Sequence, residues 1–175
     1  MKKEIEKFIE KAAPEEWWDY ARELKEAVDF LWKNKSKEKI FYQTPNNAYS
    51  KLKFSRTFLF MFGVSIENLT KGILISEKPS FLENGKLSNE ISSGHNLLDL
   101  SKKIKTLEFN ELENNLFDLL GEVVPYWGKY PIPKKFNQLK TEKYITENLY
   151  ENLNNLYIKL ELQLYELNKK GIQGP

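Results

Sequence analysis

The chain of 175 residues contains no cysteine and a single histidine, and these two shortages exclude more chemistry than any motif supplies. Without thiols there is no disulfide, no thiolate metal site and no cysteine nucleophile, which fits a reducing compartment. His95 is the sole imidazole, so a multi-histidine metal site is excluded within one chain, and no cofactor is implied. Arginine is scarce as well. Arg22 and Arg56 stand alone among lysines, which leaves little from which to build the planar, bidentate clamps that guanidinium groups supply. Long hydrophobic runs are also missing. The most apolar stretch, Phe58-Leu59-Phe60-Met61-Phe62-Gly63-Val64, is interrupted at Ser65 and Glu67, well short of the roughly 20 residues of a membrane span. The charged start Met1-Lys2-Lys3-Glu4 has no apolar segment behind it, unlike a signal peptide. The expectation is a soluble, cytoplasmic protein without membrane association.

What is present is charge in near balance and apolar residues at helical spacing. The 27 basic and 25 acidic side chains leave a net charge of +2, so any affinity for nucleic acid must come from a local patch. Length suits one domain over residues 1–175. A first helix is predicted over Lys2 to Lys11. A second starts at Pro14, with Glu15 and Glu16 at the positive end of its dipole. Its apolar face comprises Trp17, Tyr20, Ala21, Leu24, Ala27, Val28 and Leu31.

Residues 33–39 form a lysine-rich break, and Ile40 to Asn47 an irregular connection. The longest helix is predicted from Asn46 or Asn47 to about Ser76, with an apolar stripe wide enough to place it at the centre of a bundle. Glu77 to Gly94 reads as a long loop, functional or mobile. Further helices are expected over Asn96 to about Lys105, Asn110 to Val124 and Thr146 to Lys170, the last closed by Gly171. No strand alternation stands out. The fold class is all-α, an up-and-down bundle of four to six helices around one long central helix.

Two segments carry a family resemblance. Ile66-Glu67-Asn68-Leu69-Thr70-Lys71-Gly72-Ile73, a loop, and then Gly94-His95-Asn96-Leu97 resemble the HEPN domain, in which a helix with a Glu-x-x-x-Lys-(Ala/Gly) pattern precedes a Gly-His-x-Leu helix start. Trp127-Gly128-Lys129-Tyr130-Pro131 is similar to a Trp-x-Gly-Arg-Tyr-Pro stretch of uncharacterised relatives. The resemblance implies a HEPN-like bundle, often a homodimer, in a family of RNA-cleaving toxins, defence effectors and non-catalytic partners of nucleotidyltransferases. The ribonuclease members carry an Arg separated from a His by four to six residues; the positions at that distance from His95 are Ser88, Asn89 and Glu90, so the motif is absent.

The leading expectation is therefore a non-catalytic binding module. It would associate with itself, with a protein partner such as a nucleotidyltransferase, or with RNA. The alternative is a divergent ribonuclease of a defence or toxin–antitoxin system, in which His95 does acid–base work while Lys71, Lys129 or Arg56 stabilises phosphate charge. Against that stands the structural reading of His95 as a helix-start residue. Glu67 and Lys71 form an i, i+4 pair, read as a solvated face in preference to a buried polar line; Arg56, three helical turns earlier, falls on nearly the same face. Carboxylate pairs such as Glu15/Glu16 and Glu111/Glu113 are read as helix surface.

The stretch Tyr126 to Lys143 interleaves Trp127, Tyr130 and Phe136 with Lys129, Lys134, Lys135, Lys140 and Lys143 against one acid, Glu142. Aromatics beside lysines suit single-stranded RNA, so Trp127, Lys129, Tyr130, Lys134 and Lys135 are the candidate binding residues. The competing reading has Trp127 and Tyr130 plugging the bundle end. Asn84-Gly85-Lys86 is not a P-loop, because its first glycine and its Ser/Thr after lysine are both missing.

Overall fold

A computed structural model describes residues 2–35, 39–52, 54–92, 96–128 and 145–172. Seven α-helices appear among them: α1 Lys2–Lys11, α2 Pro14–Lys33, α3 Ser55–Glu77, α4 Asn89–Ser92, α5 Leu97–Ser101, α6 Glu111–Glu122 and α7 Glu147–Ile172. The class is all-α, as expected, with one addition. Strands β1 (Lys39–Thr44) and β2 (Asn47–Leu52) form an antiparallel hairpin whose register runs from Lys39 opposite Leu52 to Thr44 opposite Asn47. That register leaves Pro45 and Asn46 as a two-residue turn. The hairpin corrects the predicted start of the central helix: Asn47–Leu52 is strand, and α3 opens at Ser55.

α3 is the rod around which the rest packs. Sixteen of its 23 residues are buried, and α2 and α7 both lie along it. Phe58, Leu59, Phe62, Ile66, Leu69 and Ile73 are fully buried, each contributing roughly 1.5–3 kcal/mol by leaving water. Close approach needs small residues at two points. A Cβ at Gly63 would lie 2.5 Å from Val124 Cγ2, and one at Gly72 would lie 2.8 Å from Leu164 Cδ2. By composition alone α3 would pass for a membrane span, with mean hydropathy 1.5, but 78% of that window is buried inside the molecule. Two small polar residues of its buried middle are satisfied by backbone carbonyls. Thr70 Oγ1 donates to Ile66 O at 2.8 Å, and Ser65 Oγ reaches across to Ala21 O of α2 at 2.8 Å.

The remaining elements close the ends. The stretch predicted as a long loop contains a 3₁₀ turn, Pro79–Gly85, and the short α4, with Phe81, Leu82 and Ile91 buried. It packs as part of the core. α5 stops at Ser101, short of the predicted Lys105, because the Glu77 carboxylate accepts the backbone N–H groups of Lys105 and Thr106 at about 3 Å, and those bonds replace a continued helical ladder. α6 begins with a capping box between Asn110 and Glu113 and passes into a π-helical turn, Val123–Trp127. α7 runs through Gly171 to Ile172, so Gly171 does not end it. Tyr20, assigned to the buried face of α2, is half exposed.

Candidate functional site

Two polar clusters stand out against this apolar framework. The first lies inside α3. Glu67 and Lys71, one turn apart, are 6% and 7% exposed and are joined by a 2.6 Å bond from Lys71 Nζ to Glu67 Oε1. Lys71 also reaches toward α2, its ammonium 6.0 Å from the Trp17 ring. The solvated-face reading is overturned. With both α2 and α7 packed on α3, even the polar residues from Ser65 to Lys71 are enclosed, and a charge there is tolerated only with a partner.

Arg56 sits half-buried in the first turn of the same helix. Fifteen residues separate it from Lys71, a rise of roughly 22 Å at helical spacing. The two cations therefore do not converge on one phosphate within a protomer. His95, Lys129, Tyr130, Lys134 and Lys135 lie outside the described residues, and of Trp127 only the backbone, at the end of the π-helical turn, is described.

The second cluster was not anticipated. α2 and α7 run antiparallel, and the seam between them holds two carboxylates, each fixed by a tyrosine of α7. Asp29 takes both its oxygens to Lys25 Nζ, at 2.7 and 2.8 Å, and accepts the Tyr150 hydroxyl at 3.0 Å. Glu161 accepts Trp18 Nε1 at 3.1 Å and the Tyr157 hydroxyl at 3.3 Å, with Arg22 Nε 4.0 Å away. Lys25 is itself buried, its ammonium 5.3 Å from the Tyr157 ring and 5.8 Å from the Phe62 ring. Burial, reinforced by the Asp29 hydrogen bond and charge, pushes the Tyr150 phenol up to about 12. Burial and the Glu161 carboxylate raise Tyr157 in the same sense. Both hydroxyls therefore remain donors across the neutral range.

At one end Trp32 stacks on Tyr150, centroids 4.2 Å apart, and at the other Trp18 meets Tyr165 at 5.8 Å. All three tryptophans of α2 thus pack within the protomer, Trp17 by donating to Ala12 O. Glu113, read as plain surface, is likewise engaged: it caps α6 and accepts Lys159 Nζ at 2.8 Å.

Chemically, the seam is a hydrogen-bond network under an open groove of about 300 Å³. Among the described residues no group of three or more His, Cys, Asp or Glu side chains could hold a metal ion. The available signal for the seam was Lys25, a cation within the apolar face of α2 with Asp29 four residues on. No family model, curated protein or solved structure matches the chain.

Proposed function

We propose that this chain is a HEPN-like helical bundle that acts by binding a protein, without catalysing RNA cleavage. One observation carries the reading. Of the seven exposed large apolar side chains among the described residues, three (Ile158, Leu162 and Tyr165) follow one another at i, i+4, i+7 along α7, with Ile158 lining the α2–α7 groove and Tyr165 against Trp18, and a fourth, Phe30, lies one turn beyond the groove-lining Glu26 on α2. A cluster of exposed apolar groups rimmed by charge is the usual mark of an interaction surface. The buried, paired state of Lys71 and its distance from Arg56 weigh against the ribonuclease alternative, since neither phosphate-stabilising candidate on α3 is placed to assist the other. The Glu-x-x-x-Lys and Gly-His-x-Leu segments support the family reading, and the lysine–aromatic stretch Tyr126 to Lys143 supports an additional contact with RNA.

The test is incubation of purified protein with total RNA, alongside His95→Ala. The expected result is no cleavage by either protein. Cleavage by the wild type that disappears in His95→Ala would replace the binding reading with the toxin one. Retention on RNA that weakens with salt, and again when Lys134 and Lys135 become Glu, would show the accessory contact.

A further inference from the structure

The two helices that carry five of the seven exposed large apolar residues also have a distinct charge. α2 holds six acids and three bases and α7 four acids and three bases, so the two helices together bear −4 in a chain whose net charge is +2. Within the seam the bases are largely occupied. Lys25 is buried against Asp29, and the Arg22 guanidinium lies 5.4 Å from the Trp18 ring centroid beside Glu161. Two of the carboxylates, Glu26 and Glu161, are less occupied than Asp29. The exposed Glu26 carboxylate makes no hydrogen bond or ion pair among the described residues, and Trp18 and Tyr157 both donate to the same oxygen of Glu161, Oε1. Three carboxylates (Glu26, Asp29 and Glu161) and two cations (Arg22 and Lys25) line the groove, a net charge of −1, so what it offers an incoming group is on balance negative.

Its shape is that of a helix seat. Arg22, Glu26 and Asp29 on α2, and Asn154, Ile158 and Glu161 on α7, line it at i, i+4, i+7 spacing, so the two rows run parallel to the antiparallel helix axes. Tyr165 continues the α7 row, while Leu162 sits one turn beyond Ile158 and Phe30 one turn beyond Glu26, both exposed. Resting on the reading of the chain as a binding module, we infer that the α2–α7 seam receives an amphipathic helix of a partner protein. That helix would lay apolar residues on Ile158, Leu162 and Phe30 and lysine or arginine side chains on Glu26 and Glu161. Apolar contact would supply affinity, and opposite charge would supply register and the choice of partner.

The probe is a synthetic three-heptad helix with leucine at a and d and lysine at e and g, compared with a twin bearing glutamate at e and g. Binding is read by the shift of the Trp18 indole N–H resonance during titration. The lysine helix is expected to move that resonance and the glutamate helix to leave it unmoved. Glu26→Lys and Leu162→Glu should each weaken binding about tenfold. Glu111→Lys, the same charge reversal on exposed α6, should leave it unchanged.

Equal binding of both helices overturns the inference, as does equal weakening by Glu111→Lys, which would mean unspecific attraction. If the free protein is a dimer that Leu162→Glu dissociates, the seam's occupant is a second copy and the partner assignment falls. These failures leave the non-catalytic reading standing, because that reading is decided separately by the RNA assay.

Discussion

Two lysine–carboxylate pairs, Glu67–Lys71 on α3 and Lys25–Asp29 on α2, share spacing and bond length, 2.6 and 2.7 Å, and differ in everything around them. The α3 pair is enclosed on both sides, its side chains 9% and 8% exposed for Lys71 and Glu67. The α2 pair has a buried cation but an anion that is 34% exposed. Spacing of i, i+4 brings charges together on any helix. What the pair then contributes depends on the surface the helix presents to its neighbours. A core rod converts the pair into a fixed internal strut, whereas a seam helix converts it into one bank of a groove that still faces solvent.

Breaking the core pair should have the larger effect. Lys71→Met fills the same space and leaves the Glu67 carboxylate buried without its ammonium, a loss of about 3–5 kcal/mol. Chemical denaturation followed by circular dichroism reads this as a lowered midpoint. The double variant Glu67→Leu with Lys71→Met should recover most of that loss, since a buried ion pair replaced by apolar groups of similar volume is often neutral. A loss under about 1 kcal/mol for Lys71→Met would mean that the pair is hydrated, and the contrast with α2 would vanish.

Lys25→Met is the matching change on the seam. Asp29 keeps the Tyr150 hydroxyl and partial access to water, so the expected loss is smaller, about 1–2 kcal/mol. The ratio of the two losses in the same denaturation assay sharpens the comparison. If Lys25→Met costs as much as Lys71→Met, the seam is as closed as the core and no groove is open for a partner.

The helical framework was legible because its signals are local. Pro14 with Glu15 and Glu16 marks the start of α2, Asn110 begins α6, and the apolar stripe of α3 gave its central place. The errors come from tertiary context. Asn47–Leu52 became strand because it pairs with Lys39–Thr44, and a hairpin turn of Pro45 and Asn46 lacks the glycine that advertises most two-residue turns. Glu67 and Lys71 looked exposed because two charges at helical spacing usually are; burial follows from α2 and α7 packing on either side, which no spacing reveals. The seam was missed for the same reason. Asp29 and Tyr150 are 121 residues apart, Trp18 and Glu161 143 apart, and each looks ordinary on its own helix.

The smallest expected effect separates the two clusters by pH. The seam contains phenols bound to carboxylates, whereas the α3 pair joins an ammonium to a carboxylate. Tyr150 is held up to about 12 in the folded chain, chiefly by burial and then by Asp29, against about 10 when unfolded. The neutral phenol is thus favoured by folding. Its contribution is fully present below pH 10 and is lost as pH rises through about 12. Denaturation midpoints measured across that range should fall less steeply in Tyr150→Phe than in the wild type. The phenolate absorbance difference between wild type and Tyr150→Phe should show a midpoint near 12. A midpoint near 10 would mean that the Asp29–Tyr150 bond does not persist in solution, and with it would go the rigidity that distinguishes this seam from an ordinary solvated face.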